Sequence, residues 1–165
     1  MLLQTTETPG SRPTRQGRHS QHLRRFRAVV VDDSPAFLEA SCSVIELTYE
    51  IDVIAKAGDG IAAIQAVADL RPDLVVMDIN MPGLNGLTAA SIISERFPNT
   101  GIVLMSAEDS RELREACKAC GAEAFVYKVQ FGKELQSALA SIGSRRAKPE
   151  PYATFYKEFT PKPEI

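Results

Sequence analysis

Five short apolar runs alternate with helix-patterned segments between residues 26 and 143. The runs predict β-strands at 26–31, 51–55, 74–77, 102–105 and 124–127. A continuously apolar run is typical of a strand that is covered by helices on both faces. The second run instead alternates, with Asp52 among apolar residues, and this pattern favours an edge position in the sheet.

The intervening segments predict five helices. Ser34 is a candidate N-cap with Pro35 in the first turn, and Ser110 is a candidate cap for the fourth helix. An apolar stripe at i, i+3, i+4 and i+7 marks the last helix: Leu135, Ala138, Leu139 and Ile142. Because crossovers between parallel strands are right-handed, this alternation predicts an α/β fold. We expect a doubly wound, five-stranded parallel sheet with flavodoxin-like strand order 2-1-3-4-5 and helices on both faces.

The 165 residues suit one globular domain, predicted at 26–144, between a basic arm at 1–25 and a tail at 145–165. The composition of the arm predicts disorder. Its Arg-rich start also resembles an organellar transit peptide, although Pro9 and Pro13 interrupt any amphipathic helix there. Up to residue 27 the chain has six arginines and one acid, whereas the remainder has 13 basic and 20 acidic residues. An acidic domain argues against nucleic acid as the main partner, and no DNA-binding domain is expected.

No apolar run approaches the ~20 residues of a membrane helix, and no secretory signal is present, so we expect a cytoplasmic protein without membrane contact. The three cysteines, Cys42, Cys117 and Cys120, all fall in segments predicted to be helical. Cys117-x-x-Cys120 raises a redox or zinc interpretation. Zinc would need two more ligands, and the two histidines, His19 and His22, lie in the arm. We therefore interpret the pair as two small residues one helical turn apart.

Polar side chains follow four of the predicted strands. Asp32 and Asp33 follow the first, Asp78 the third, Ser106 the fourth and Lys128 the fifth. Because the carboxyl ends of parallel strands share one edge of the sheet, these side chains should converge. Clustered carboxylates need a cation, and Mg²⁺ prefers such oxygen ligands. An ammonium and a hydroxyl suit the oxygens of a phosphoryl group.

Asp78 is the candidate nucleophile that would form an acyl phosphate, because it stands alone on the central strand before the Gly-containing segment MPGLNG. Each residue also has an ordinary structural explanation. The Asp32-Asp33 pair could cap a helix, Asp78 could be a turn acid, Ser106 a strand-end hydroxyl and Lys128 a solvated charge. Their joint occurrence, in this order at four strand ends, predicts a site.

The segments VVVDDSPAF, VVMDINMPGLNG, IVLMSA and GAEAFVYK occur in this order. In order and spacing they make residues 26–143 resemble the receiver domain of two-component response regulators. The resemblance covers the whole predicted domain. It implies a stand-alone receiver, with no output domain, that acts as a phosphorylation-dependent switch through protein–protein interaction. It also implies no enzymatic activity beyond promoting the protein's own phosphorylation and dephosphorylation.

The resemblance implies that Asp78 accepts a phosphoryl group from a histidine kinase or phosphotransfer protein. Mg²⁺ would be bound by Asp33 directly, by Asp32 through water, by Asp78, and by the backbone carbonyl of Asn80.

Further roles are implied by the same resemblance. Ser106 and Lys128 would hold the phosphoryl oxygens, and Ser106 and Phe125 would form the switch pair. Asn80 and Glu108 occupy positions that adjust the lifetime of the acyl phosphate. The output partner is unknown, and a homodimer through helix four, strand five and helix five is one expectation.

One position departs from the family pattern, because Val129 follows Lys128 where receivers usually have proline, often after a cis bond. A cis bond before another residue costs ~2.5–4 kcal/mol, so we expect a trans bond. Receivers of the helix-turn-helix transcription regulators often lack this proline too, and residues 106–128 resemble theirs.

Two other classes of function remain open from the sequence. Haloacid-dehalogenase-like phosphatases also use an aspartate nucleophile, Mg²⁺, a hydroxyl and a lysine, but they carry Asp-x-Asp on the first strand, whereas Asp32 and Asp33 are adjacent. A receiver fold could also serve as a constitutive interaction module without phosphorylation.

The tail contains four aromatic residues at the spacing of one helical face: Tyr152, Phe155, Tyr156 and Phe159. So short a segment is not stable as an isolated helix and needs a surface to pack on. The spacing suits docking in a groove of its own domain or of a partner, and the alternative is a disordered tail with chance aromatics.

Overall fold

Strands and helices alternate along residues 26–49 and 51–145, the part of the chain that the structure describes. The structure is a computed structural model. In chain order the elements are β1 Phe26–Val31, α1 Pro35–Thr48, β2 Ile51–Ala57, α2 Gly60–Leu70, β3 Leu74–Asp78, α3 Gly86–Arg96, β4 Gly101–Ser106, α4 Arg111–Ala119, β5 Ala124–Tyr127 and α5 Phe131–Arg145. A 3₁₀ turn, Lys128–Gln130, joins β5 to α5. The predictions for the arm at 1–25 and for the tail beyond residue 145, including its four aromatics, lie outside the described residues.

The strands form one parallel sheet in the order β2-β1-β3-β4-β5, which confirms the predicted topology and the edge position of the second strand. Three strands extend beyond their predicted ends. β2 continues to Ala57, which pairs with Val31, and its register against β1 shifts between Ala28 and Val29. β3 and β4 include Asp78 and Ser106, and Asp78 pairs with Met105. The first polar residues after these apolar runs are therefore held by the sheet itself.

Each strand contributes alternate side chains to two apolar layers. Ala28 and Val30 of β1 face a layer shared with α1 and α5, whereas Val29 and Val31 face a layer shared with α2, α3 and α4. All four side chains are fully buried. Burial on both faces explains why β1, β3 and β4, unlike the edge strand β2, have no polar alternation.

Side-chain caps start four of the helices. The hydroxyl oxygens of Ser34 and Ser110 accept hydrogen bonds from the backbone N–H groups of Phe37 (3.4 Å) and Leu113 (3.1 Å), which confirms both predicted caps. Asp59 and Asn85 cap α2 and α3 in the same way. These two helices therefore begin at Gly60 and Gly86.

The cysteines of the described chain are free thiols. Cys42 and Cys117 are buried within helices, whereas Cys120 lies just beyond the end of α4 and not inside it as predicted. Burial raises the pKa of Cys117 to about 11, so its thiol stays protonated at neutral pH. This favours the packing interpretation of Cys117-x-x-Cys120 over a redox one.

Within residues 26–49 and 51–145, no helix has both the length and the apolar character that crossing a membrane requires.

Gly86, the first residue of α3, lets this helix approach the end of β3. Its N–H donates to the carbonyl oxygen of Ile79 at 2.9 Å. A Cβ atom at Gly86 would overlap the backbone carbonyl oxygen of Asp78. The absence of a side chain at Gly86 therefore helps to hold the strand end that carries Asp78.

We predict that Gly86→Ala lowers the free energy of unfolding by about 1–3 kcal/mol or more, because backbone must move to admit the methyl group. Gly58→Ala is the control, since a Cβ there would have no neighbour within 4 Å. Urea denaturation measures both variants. Equal stability of the two would contradict the close approach.

Candidate functional site

Asp78 ends the central strand with its side chain almost wholly buried, at 3% exposure. Burial raises the pKa of the Asp78 carboxyl, and the nearby Asp32 and Asp33 add to the rise, while the Lys128 ammonium opposes it. The Lys128 Nζ atom lies 3.1 Å from Asp78 Oδ1. Asp78 is therefore a desolvated carboxyl whose ionised form depends on neighbouring cations.

Lys128 joins the ends of β1, β3 and β5. Besides contacting Asp78, its Nζ atom lies 2.6 Å from Asp32 Oδ2. The same atom lies 4.5 Å from the ring centroid of Phe37. The aromatic face adds a favourable contact for the ammonium. Only 14% of the Lys128 side chain is exposed. The two carboxylates and the ring thus hold this ammonium largely out of solvent.

The carboxyl groups of Asp32, Asp33 and Asp78 form one cluster, with an oxygen of each lying within 4.8 Å of the others. Asp32 Oδ1 accepts the backbone N–H of Ser34 at 2.9 Å. Asp32 Oδ2 is buried and accepts no directed hydrogen bond, although it forms the ion pair with Lys128. Asp33 is exposed, so the cluster opens to solvent on its side.

These residues fit Mg²⁺. Three carboxylates and one ammonium leave two uncompensated negative charges when all are ionised. Mg²⁺ takes hard oxygen ligands and keeps several waters, which the open side at Asp33 can admit. Asp32, Asp33 and Asp78 could hold the ion, and Asn80 follows β3 two residues after Asp78.

Ser106 ends β4, fully buried, with its hydroxyl oxygen accepting two hydrogen bonds. The donors are the backbone N–H of Glu108 at 3.0 Å and Asn80 Nδ2 at 3.3 Å. Both use the oxygen as acceptor, which leaves the hydroxyl proton for a further acceptor such as a phosphoryl oxygen. The side chains of Asn80 and Glu108 lie at the exposed rim of this edge.

Phe125, the predicted switch aromatic, is half-buried on β5 and packs against the layer of α2, α3 and α4. The Arg114 guanidinium of α4 lies 4.5 Å from its ring centroid. Arg114 forms two hydrogen bonds with Asp109, at 2.6 and 2.7 Å, and these lower the pKa of the Asp109 carboxyl. It also lies 3.9 Å from Glu134 Oε1 of α5, whose Oε2 accepts the backbone N–H of Tyr127 at 2.7 Å. We call Arg114, Asp109 and Glu134 the arginine network.

Sequence reasoning did not assign the arginine network or the role of Phe37. Phe37 stands within the motif VVVDDSPAF, four residues after Asp33, so its position near the site could have been found. Arg114 and Glu134 carry no comparable signal. They meet only because α4 and α5 flank β5 in space.

The residues after Lys128 form the 3₁₀ turn Lys128–Gln130, which leads directly into α5. Val129 is 73% exposed there. The segment in which Val129 takes the place of the usual proline is therefore a single helical turn.

The family model of the response regulator receiver domain matches residues 28–140. The chain belongs to this family. The match covers the five strands apart from the first two residues of β1, and all the residues of the site described above.

Curated relatives carry the same domain within longer proteins. The chain is 37% identical over 110 residues to protein-glutamate methylesterase/protein-glutamine glutaminase 3 of Geobacter sulfurreducens, covering 67% of this chain and 29% of that protein. It is 31% identical over 118 residues to oxygen regulatory protein NreC of Staphylococcus epidermidis, covering 71% of this chain and 54% of that protein. The chain thus spans no more than about half the length of these relatives.

Solved structures share the fold. The signal receiver domain of the response regulator NarL from Mycobacterium tuberculosis aligns with a TM-score of 0.67 and 27% identity, over 75% of this chain and 98% of that one. CheY in the CheX–CheY–BeF₃–Mg²⁺ complex from Borrelia burgdorferi aligns with a TM-score of 0.62 and 25% identity, over 68% of this chain and 87% of that one. The strand order β2-β1-β3-β4-β5 is that of these receivers.

We predict that Lys128→Met destabilises the protein by about 3 kcal/mol in metal-free buffer, because it leaves two buried carboxylates without their ammonium. Mg²⁺ should reduce this loss of stability by supplying positive charge beside the same two carboxylates. Lys133→Met, an exposed lysine on the first turn of α5, is the control. Thermal unfolding with EDTA and with MgCl₂ measures the effect. A Lys128 variant as stable as the control in EDTA would contradict the ionic role.

Proposed function

We propose that this protein is a phosphorylation-dependent switch of a two-component system, with Asp78 as the phosphoacceptor. The observation that carries the proposal is the cluster at the strand ends: a buried Asp78 carboxylate 3.1 Å from Lys128, beside Asp32 and Asp33. Membership of the receiver family supports two-component signalling as the context. Membership of that family argues against the alternative of a dehalogenase-like phosphatase.

In the proposed reaction, an Asp78 carboxylate oxygen forms a bond to phosphorus as the phosphorus–nitrogen bond of a donor phosphohistidine breaks. The imidazole of the donor leaves with the electron pair of that bond. Lys128 and Ser106 would neutralise and hydrogen-bond the phosphoryl oxygens. When bound by Asp32, Asp33, Asp78 and the carbonyl of Asn80, Mg²⁺ would screen the negative charge between the phosphoryl group and the carboxylates.

The acyl phosphate would be removed by water, which releases inorganic phosphate and regenerates Asp78. Asn80 and Glu108 lie at the exposed rim of this edge, where their side chains would affect the approach of water. In this proposal the protein promotes only its own phosphorylation and dephosphorylation. The donor would be a histidine kinase or phosphotransfer protein, and the output would be an interaction with another protein or with a second copy of the chain.

The switch itself would involve Ser106, Phe125 and the face formed by α4, β5 and α5. A phosphoryl oxygen would accept the hydroxyl proton of Ser106, which its present hydrogen bonds leave free, and would draw the hydroxyl toward Asp78. Phe125 would move into the space that Ser106 leaves. Because phenylalanine has no hydroxyl, burial of its ring would leave no polar group without a hydrogen-bond partner. The arginine network supports this proposal, because Arg114 contacts the Phe125 ring and joins α4 to α5.

We predict that Asp78→Asn abolishes labelling by acetyl phosphate with Mg²⁺, because the nucleophilic oxygen is lost. Asp33→Asn should slow labelling and weaken Mg²⁺ binding. Asp69→Asn, an exposed carboxylate on α2, should behave as wild type. Intact-protein mass measurement and Mg²⁺ titration test these outcomes. Full labelling of Asp78→Asn would refute the assignment, and unlabelled wild type would favour a constitutive interaction module.

We further predict that beryllofluoride with Mg²⁺ changes amide hydrogen exchange over residues 106–140. Arg114→Ala should speed exchange in this region without beryllofluoride, because the contact with Phe125 and the link to Glu134 are lost. Arg111→Ala is the matched control, since Arg111 lies on the same helix but pairs only with the exposed Glu115 among the described contacts. Identical exchange with and without beryllofluoride would refute the switch. If Arg114→Ala and Arg111→Ala show the same hydrogen exchange, the arginine network takes no part in the switch.

A further inference from the structure

An open groove of about 450 Å³ runs between α1 and the start of α5, next to the acid cluster. Phe37, Ala40 and Val44 line it from α1, and Val129 and Phe131 line it from the other side. Phe37 and Phe131 meet within this lining in an edge-to-face contact, with ring centroids 5.6 Å apart. Its size lies within the ~300–1,000 Å³ of pockets that bind small molecules.

The position of α5 against α1 is held firmly. The buried Tyr49 at the end of α1 donates a hydrogen bond from its hydroxyl to the carbonyl oxygen of Gly132, at 3.0 Å. Lys128 of the same loop is held by Asp32 and Asp78. The groove is therefore a preformed feature, and it leaves Val129 73% exposed within it. Exposed apolar side chains in a fixed groove are suited to anchoring an apolar ligand.

The chain itself contains a segment of matching character. Residues 146–165, which lie outside the described residues, follow α5 directly and carry Tyr152, Phe155, Tyr156 and Phe159 at the spacing of one helical face. Prolines 149 and 151 precede these aromatics, and prolines 161 and 163 follow them. Such anchors at i, i+3, i+4 and i+7 are those by which amphipathic segments dock in apolar grooves.

The chain after α5 is long enough for its aromatic residues to reach the groove. From Phe131, at the groove, α5 runs 14 residues to Arg145, a rise of about 21 Å. The seven residues from Arg145 to Tyr152 span at most about 24 Å when extended. A tail that turns back along α5 is therefore long enough for Tyr152 to reach the groove. Phe155 and Tyr156, which lie further along the chain, can reach it as well.

We propose that the aromatic face of residues 152–159 docks intramolecularly in the groove between α1 and the Lys128–Lys133 segment. The aromatic rings contact Phe37, Val44 and Val129 and cover the apolar surface beside Lys128. Covalent attachment makes the effective concentration of the tail high, so modest contacts suffice for occupancy. The proposal concerns the unphosphorylated protein and does not depend on the chemistry of Asp78.

The absence of tryptophan from the chain permits a direct test. Phe155→Trp in the full-length protein introduces a single tryptophan, whose emission is recorded by selective excitation over the four tyrosines. Docking predicts an emission maximum blue-shifted from that of a free peptide of residues 146–165 with the same substitution. Val129→Glu in this background should remove the blue shift by placing a charge in the groove. Ala40→Glu, at a second exposed groove position, should do the same.

Leu47→Glu is the matched control, because Leu47 lies on α1 with 87% exposure and does not line the groove. It should keep the blue shift. Circular dichroism confirms that each variant is folded. Emission equal to that of the peptide, or a blue shift that survives both groove substitutions, would overturn the proposal. A blue shift that grows with protein concentration would assign the groove to a second copy and overturn intramolecular docking.

Discussion

The ion pairs of Lys128 with Asp32 and Asp78 are the constraint on which the rest of the site depends. Buried carboxylates are unfavourable without compensation, and here two of them come from neighbouring parallel strands. The compensating ammonium comes from the end of β5, two strands away from β3 in the sheet. The ionic contact therefore ties the ends of three strands together. With three carboxylates and one ammonium the cluster stays short of positive charge, and this deficit favours the binding of a divalent cation.

The same edge contains the parts by which a change at Asp78 could reach the surface. Ser106 and Phe125 occupy β4 and β5, and β4 pairs directly with both β3 and β5. Ser106 is held by hydrogen bonds to groups of two loops, and Phe125 is held by a cation–π contact and apolar packing. A phosphoryl group on Asp78 would accept the hydroxyl proton of Ser106, which the first set of contacts leaves free, and would not act directly on the contacts of Phe125. Coupling between them requires movement of Ser106 to alter the space available to the Phe125 ring.

The fold could be predicted from the sequence because its pattern is local and repeated. The central strands β3 and β4 are apolar on both faces. Ser34, Pro35 and Ser110 mark helix starts by local chemistry that neighbouring residues do not override. The convergence of Asp32, Asp78 and Lys128 follows from parallel topology alone. The contacts of Arg114 could not be predicted, because Phe125 and Glu134 lie 11 and 20 residues away and meet it only after α4 and α5 pack beside β5. Distances and ionic partners at that level depend on helix packing, which no local pattern specifies.

The turn after Lys128 links the site to the surface beside it. Consecutive residues point to two environments: Lys128 to Asp32 and Asp78, and Val129 to the groove lined by α1. Both belong to one 3₁₀ turn, so a displacement of this backbone moves both. A ligand that occupies the groove and prefers one position of the turn therefore shifts the equilibrium position of the ammonium at Asp78. By thermodynamic linkage, any change at Asp78 that alters the preferred position of Lys128 changes the affinity of the groove by the same factor. Val129, which replaces the usual proline, thus lies between the charged site at Lys128 and the apolar groove beside α1.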